Sequence, residues 1–251
     1  MYDGTGITKM INVLTLRRRT AVLSMLTLQL AFGHYTWVAA PGPFVPGKAI
    51  KIIVAHGDRF PHGDEAINAA QVRLYVLSAS GVRADLKPAV VANTSVQADF
   101  TPHQAGPHRV VFTQDRGVMS RTPKGVKAGG RDKSPGATEA FALVRTGVSY
   151  VGGAEASVTP LGLELEIMAQ LVNGVWHLQL LRAGKAVAGE TISVLLKEQE
   201  KESAIGKTAA DGKLAYTPSA GGPVLFLAEV KEKSTGAIDY RSFSTSTYVT
   251  W

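Results

Sequence analysis

The sequence has no cysteine, and aromatic residues make up only 7% of its 251 residues. The absence of cysteine excludes a disulfide framework, thiolate metal sites, iron–sulfur clusters, a cysteine nucleophile and lipidation through cysteine. Any metal site must therefore use histidine, carboxylate, methionine or backbone donors. Hydrophobic residues make up 45% and charged residues 19%, so the chain can build a packed core and is not predominantly disordered.

A basic and then apolar segment lies near the N-terminus. Arg17, Arg18 and Arg19 precede an apolar run over residues 20–32, which is shorter than the ~20 residues that a membrane-spanning helix needs. Small residues at Ala31 and Gly33 fit a cleavage site. We predict that residues 1–33 are a cleaved signal peptide; a single N-terminal membrane anchor is the alternative. The mature chain would then start at His34, cross the inner membrane by secretion, have no transmembrane segment and reside in the periplasm or cell envelope.

The basic charge of the chain lies partly in this leader. The formal net charge is +7, and residues 1–33 contribute +3 of it through one lysine and three arginines against one aspartate. The remaining +4 is ordinary for a solvated domain of 218 residues. Because no basic stripe with interleaved aromatic residues accompanies it, we expect no nucleic-acid partner.

Short apolar runs bounded by glycine, proline and aspartate follow from residue 34 onward. The run QVRLYVLSASG over residues 71–81 alternates in the manner of a half-buried strand, and Asp211-Gly212 is typical of a hairpin turn. These patterns predict an all-β fold of two antiparallel, immunoglobulin-like β-sandwich domains in tandem, over residues 34–152 and 153–251. We predict one helix, over residues 135–147.

Two further segments carry specific expectations. The basic, glycine-rich segment over residues 121–136 is predicted to be a mobile loop at the surface. Over residues 161–170, apolar side chains alternate with Glu164 and Glu166, which predicts a strand with both glutamates on one face. Such a pair could act as acid and base, but it is more typical of the solvated side of a sheet.

Catalytic motifs are missing from the chain. It has no Gly-x-Ser-x-Gly, no glycine loop for phosphates and no His-Glu-x-x-His. We therefore predict that the protein is not an enzyme.

The six histidines are unevenly distributed, and five of them lie in the first predicted domain. His56 and His62 flank a turn that also holds Asp58, Asp64 and Glu65, which is suitable chemistry for zinc, nickel or copper. Ordinary loop polarity is the alternative. A free N-terminus at His34 would add an amine and an imidazole that can chelate one metal together, although it could equally be a frayed end. His103 and His108 bracket a turn and could supply a third ligand.

Several segments resemble a known family. They are GHYTWV (33–38), PGKAIKIIVAHGDRFP (46–61), AGPHRVVFTQD (105–115), MSRTPKGVKAGGRDK (119–133), LGLELEI, RAGKAVAGETISV and KTAADGKLAY. The chain is similar to exported proteins of domain-of-unknown-function family 4198, which are related to NikM-like periplasmic components of nickel uptake. The resemblance extends over residues 33–251. One departure is that Tyr35-Thr36 replaces the commoner acidic-aromatic pair after the histidine.

The resemblance implies an exported β-sandwich protein that handles a divalent transition metal: nickel, cobalt, copper or zinc. It implies delivery of that metal to a membrane metal transporter, with His34 and His56, and His62 as an addition, as the metal ligands. We weigh this hypothesis of a non-enzymatic metal-binding protein against two others. The chain could be an interaction module that binds a protein or glycan without a metal role, or an oxidative enzyme with copper at its N-terminal histidine.

Overall fold

The structure is a computed structural model that describes residues 34–91, 95–152, 159–197, 199, 201–219 and 221–250. The predicted signal peptide, residues 1–33, lies outside the described residues. Within the described ranges the backbone forms a short 3₁₀ helix, Ala69–Gln71, and seventeen strands: β1 (Tyr35–Ala39), β2 (Ile50–Gly57), β3 (Val72–Ser78), β4 (Arg83–Leu86), β5 (Ala89–Val91), β6 (Ser95–Phe100), β7 (His108–Thr122), β8 (Gly125–Ala128), β9 (Glu139–Val151), β10 (Glu166–Val172), β11 (Val175–Arg182), β12 (Lys185–Ala186), β13 (Thr191–Leu196), β14 (Ser203–Lys207), β15 (Lys213–Tyr216), β16 (Pro223–Lys233) and β17 (Tyr240–Thr250). The all-β prediction is confirmed. The described part of the chain contains no helix long and apolar enough to cross a membrane.

The strands form three sheets. The N-terminal sheet has the order β1-β2-β6-β5, and the C-terminal sheet has the order β10-β11-β12, with β15 also paired to β11. The central sheet has nine strands in the order β14-β13-β16-β17-β9-β7-β3-β4, with β8 paired to β7. All pairs are antiparallel except β17 with β9, which run parallel over Phe141–Ser149 and Tyr240–Tyr248.

The central sheet is covered on both faces. Leu74 and Phe112, which are register partners on β3 and β7, belong to a core shared with the N-terminal sheet. Their chain neighbours Tyr75 and Val111 belong to a second core, shared with the C-terminal sheet around Trp176. Because successive side chains of a strand point to opposite faces, the central sheet separates the two outer sheets. A third core packs Trp37 of β1 against β13 and β16.

The helix predicted over residues 135–147 is wrong, because residues 139–147 belong to β9. This strand lies between β7 and β17 in the interior of the central sheet and is packed on both faces. A strand covered on both faces lacks a continuous alternation of polar and apolar residues, so much of its pattern resembles that of a buried helix.

The expected strand over residues 161–170 begins only at Glu166, and the placement of Glu166 on a solvated face is wrong. Glu166 is 2% exposed, and its carboxylate accepts hydrogen bonds from the main-chain nitrogens of Leu161 (2.9 Å) and Gly162 (3.0 Å). The carboxylate thus provides the acceptor for two main-chain N–H groups before β10. Glu164 is exposed and pairs with Arg182 at 2.6 Å.

The basic segment over residues 121–136 lies at the surface and includes the exposed strand β8, which forms a hairpin with the end of β7. The domain boundary predicted between residues 152 and 153 adjoins residues 153–158, which are not described, and it stays a prediction. Strands from both sides of this boundary share the central sheet, and residues 33–251 group into one compact unit.

Candidate functional site

The hairpin of β1 and β2 brings together two histidines that are distant in sequence. The two strands pair so that Thr36 lies opposite His56 and Tyr35 lies opposite Gly57. His34 directly precedes β1 and therefore lies beside the residues that follow β2. The centroids of the His34 and His56 rings are 6.1 Å apart.

A tight reversal after β2 returns the chain to His56. The main-chain nitrogens of Asp64 and Glu65 both donate to the carbonyl oxygen of His56, each at 3.0 Å. Gly57 starts this reversal with φ = +134°, and a Cβ at this position would overlap the Asp64 carboxylate. Because L side chains rarely adopt this φ, the reversal that places Glu65 beside His56 depends on glycine.

Backbone geometry fixes the tautomer of His56. The residue is 6% exposed, and its Nδ1 lies 2.6 Å from the carbonyl oxygen of Tyr35. A carbonyl oxygen can only accept, so Nδ1 carries the proton and donates it, and in the neutral ring Nε2 holds a lone pair. This arrangement is the one that metal-binding histidines commonly use, with one nitrogen held by the protein and the other available to a ligand.

The surroundings of His56 keep its ring neutral. Burial, followed by the positive charge of Arg145, lowers the pKa of His56 to about 4. The guanidinium Nη1 of Arg145 lies 3.4 Å from His56 Nε2 and donates to Thr36 Oγ1 at 3.1 Å. His56 is therefore an uncharged base at neutral pH, as a metal ligand must be.

The carboxylate of Glu65 connects the two histidines. Its Oε1 lies 2.5 Å from His34 Nδ1, and its Oε2 lies 3.3 Å from His56 Nε2. Asp58 Oδ1 lies 3.5 Å from His34 Nδ1 and is buried without a hydrogen-bond partner in the described residues. As they stand, however, no three or more histidine and acidic side chains among the described residues are arranged to hold a metal ion.

A pocket of about 420 Å³ adjoins this cluster, and His56 and Glu65 form part of its wall. Gln114 of β7 and Arg145 of β9, which are register partners, line it from the central sheet together with Arg116. Burial and the charge of Arg116 lower the pKa of Arg145 to about 10, so Arg145 stays cationic at neutral pH. The volume lies within the ~300–1,000 Å³ that is typical of small-molecule sites.

The structure thus brings together two of the three histidines predicted as metal ligands, His34 and His56. His62 is exposed in the reversal after β2, and in the described structure it makes no hydrogen bond, ion pair or ring contact with the other two. His103 is exposed in another loop. His108 Nδ1 donates to the carbonyl oxygen of Gly106 at 2.8 Å, and its ring packs against Phe44 and Phe100. Neither of these joins the cluster.

Four residues of the site were not predicted from the sequence: Thr36, Gln114, Arg116 and Arg145. Arg145 lies in the segment that was expected to be helical. Part of this segment nevertheless alternates as a strand does. Val144, Thr146 and Val148 share one face, and Arg145 and Gly147 lie on the other. This alternation favours a strand, and not a helix, around Arg145.

The fold and the site define an all-β protein of three stacked sheets with a histidine–carboxylate cluster at the edge of a cationic pocket. The chain belongs to the family described as a domain of unknown function, DUF4198, whose model matches residues 31–232. No curated protein matches the sequence.

Several solved structures show a weak similarity. The tetra-tandem repeat in the extending region of a large adhesion protein is 11% identical with a TM-score of 0.24, and the match covers 86% of this chain and 50% of that one. This chain therefore spans about half the length of that structure. Native alpha-2-macroglobulin from Escherichia coli spanning domains NIE-MG1 is 13% identical, with a TM-score of 0.21 and coverage of 84% and 97%. The D0-D1 domain of intimin is 13% identical, with a TM-score of 0.20 and coverage of 86% and 98%.

Proposed function

We propose that this chain is an exported, non-enzymatic protein that binds a divalent transition metal through His34, His56 and Glu65 and delivers it to a metal-uptake transporter in the cell envelope. One observation carries the proposal: a single carboxylate, that of Glu65, lies within 3.3 Å of a ring nitrogen of each histidine. Imidazole and carboxylate are donors that suit nickel, cobalt, copper and zinc.

The donors would complete a coordination sphere by small movements. Glu65 is 40% exposed and can rotate its carboxylate away from both rings, which frees a nitrogen of each histidine for the metal. His56 needs no movement, because its Nδ1 is already held by the Tyr35 carbonyl oxygen. Asp58 Oδ1, which lies near His34 without a hydrogen-bond partner in the described structure, is a fourth donor.

The predicted cleavage before His34 would strengthen the site. A free amine and the imidazole of the same residue can bind one ion together, and the chelate is tighter than a lone imidazole. Cleavage before His34, the export of the chain and its transporter are parts of this proposal, with the family resemblance of the segments around His34 and His56 as their support.

Metal titration of the secreted chain, after mass spectrometry of its N-terminus, tests the proposal. Calorimetry with nickel chloride should give a single saturable site, and His56→Ala should weaken it by at least about tenfold. His62→Ala, a matched change in the same loop, should leave the affinity within about twofold. Equal affinities of wild type and His56→Ala would overturn the assignment.

Two additional variants separate loss of a metal ligand from loss of folding and test whether the N-terminal amine binds the metal. Glu65→Gln keeps the shape of a partly exposed side chain and should also weaken nickel binding, with an unchanged circular dichroism spectrum. A chain with one glycine added before His34 should lose the amine chelate and bind nickel more weakly. Unchanged nickel affinity in both variants would contradict the proposed ligand set.

A further inference from the structure

Two arginines line the pocket beside the cluster, and no carboxylate among the described residues contacts either of them. In the described structure neither Arg116 nor Arg145 forms an ion pair with a carboxylate, although the charges of Arg116, Glu65 and Glu229 all act on Arg145 from a distance. Arg145 is held by hydroxyl and imidazole groups, Thr36 Oγ1 at 3.1 Å and His56 Nε2 at 3.4 Å. Two like charges that line one pocket repel each other, and a bound anion relieves this repulsion.

A buried acceptor in the same pocket points to a second requirement of the ligand. Gln114 is only 4% exposed, and its Oε1 is buried without a hydrogen-bond partner in the described residues. A buried unpaired oxygen is costly, because it lost its hydrogen bonds to water on folding. A ligand with an N–H donor would satisfy it, and the Glu65 carboxylate on the wall favours a donor that is positively charged.

We propose that this pocket binds a small α-amino carboxylate, with its carboxylate at Arg116 and Arg145 and its ammonium at Gln114 Oε1 and Glu65. The arginine fork suits a planar carboxylate, which it can bind through two parallel hydrogen bonds. Phosphate fits the pocket less well, because it has no ammonium group to donate to Gln114 Oε1 and Glu65. It also places more negative charge beside the Glu65 carboxylate. The inference goes beyond metal binding and does not require it.

The position of the pocket links its ligand to the metal site. His56 and Glu65 belong to both, so an amino carboxylate bound here lies next to the proposed metal ligands. The bound anion also offsets the charge of Arg145, which otherwise opposes a metal cation at His56 Nε2.

Calorimetry of the chelator-treated full chain tests this inference without metal. The probes are L-alanine and L-histidine, with acetate, ethylamine and inorganic phosphate as partial mimics. An amino acid should bind saturably and at least about tenfold more tightly than acetate or ethylamine. Tighter binding of phosphate than of either amino acid, or no saturable amino-acid binding up to millimolar concentration, would overturn it.

Substitutions in the pocket test whether the amino acid binds there. Arg116→Gln should weaken amino-acid binding by at least about tenfold, because it removes a charged hydrogen bond to the carboxylate. Gln114→Met, which keeps the buried volume, should weaken binding of L-alanine but not of acetate. Lys127→Gln, a charge removed from the exposed strand β8, should change nothing. Unaltered L-alanine affinity in Arg116→Gln would refute the site.

The outcome is separable from that of the proposed function. If nickel binding depends on His56 but no amino acid binds, only the pocket assignment falls. If L-alanine binding depends on Arg116 but nickel binding does not depend on His56, only the metal assignment falls. Cooperative unfolding curves of Arg116→Gln and Gln114→Met show that the variants are folded.

Discussion

His56 donates the proton of Nδ1 to the main-chain oxygen of Tyr35, 2.6 Å away and one residue before its own strand partner, Thr36. The hairpin backbone therefore holds the imidazole, and the ring cannot turn without losing this bond. Its Nε2 is directed to Glu65 and Arg145 as a consequence. One backbone contact thus sets both the tautomer and the direction in which the histidine can bind.

The buried, neutral state of His56 predicts acid sensitivity of the fold. The pKa of His56 is about 4 in the folded chain, against 6.5 for an unperturbed imidazole. Between these values the unfolded chain binds a proton that the folded chain does not, so stability falls as the pH falls from 6.5 to 4. Between pH 7 and about pH 4.5, urea unfolding should show a loss of about 2–3 kcal/mol from this residue.

A comparison of glutamine variants isolates this effect. His56→Gln cannot take up a proton and should show a shallower dependence of unfolding free energy on pH over this range. His177→Gln, which changes an exposed histidine on β11, should keep the dependence of the wild type. If His56→Gln and the wild type lose the same free energy on acidification, another group is responsible.

Alternation along the sequence was sufficient to predict the all-β fold and the interior strand β3, but not the interior strand β9. Segments with one solvated face, such as β11, keep a readable period of two, with Trp176 and Leu178 buried and His177 exposed. β3 and β9 lie inside the central sheet, where a partner sheet covers each face, so Tyr75 is buried as well as Leu74. Burial of both faces leaves β9 a readable period of two only over residues 144–148, inside the segment where a helix was predicted.

The site was predictable where its residues lie close together in the sequence. The segment from His56 to Glu65 presents imidazole and carboxylate groups in one short loop. The predicted cleavage site added His34, and the family resemblance supported it. Arg145 is 89 residues from His56 and reaches it only through the register of β9 in the central sheet. Without that register, nothing in the sequence connects the arginine to the histidine.

Close packing at Gly147 predicts that a single methyl group destabilises the protein. A Cβ on this β9 residue would overlap the ring of Phe112 and lie 2.6 Å from Ser246 Oγ. Gly147→Ala should cost about 1–3 kcal/mol of unfolding free energy in urea, because the core must shift to admit the methyl group. In Gly130→Ala the new atom meets only the end of the Asp132 side chain, and the cost should stay under about 0.5 kcal/mol. Equal losses in the two variants would contradict this account of the packing.

Arg182 joins the C-terminal sheet to the central sheet. Its guanidinium lies 3.7 Å from the centroid of the Phe243 ring and pairs with Glu164 at 2.6 Å and Glu232 at 3.2 Å. Arg182→Met keeps the apolar stem but loses the ring contact and both ion pairs, and it should cost about 1 kcal/mol in thermal unfolding. Lys51→Met breaks an exposed pair with Asp99 and should cost under about 0.5 kcal/mol. A smaller loss in Arg182→Met than in Lys51→Met would show that Arg182 does not stabilise the sheet interface.

The hydroxyl group of Thr36 contacts both His56 and Arg145. Its Oγ1 lies 3.0 Å from His56 Nδ1 and accepts from Arg145 Nη1 at 3.1 Å, and the residue is buried. Thr36→Val keeps the shape but removes this acceptor, so the free energy of unfolding in urea should drop by about 1–3 kcal/mol. Thr36→Ser keeps the hydroxyl and should lose less.

The same variant distinguishes the role of the hydroxyl from that of the backbone. The Tyr35 carbonyl oxygen still accepts from His56 Nδ1 in Thr36→Val, so the ring should keep its proton on Nδ1. Nitrogen-15 chemical shifts of the imidazole report the tautomer directly. A shift of the proton to Nε2 in Thr36→Val would mean that Thr36, and not the hairpin carbonyl, orients the histidine toward Glu65.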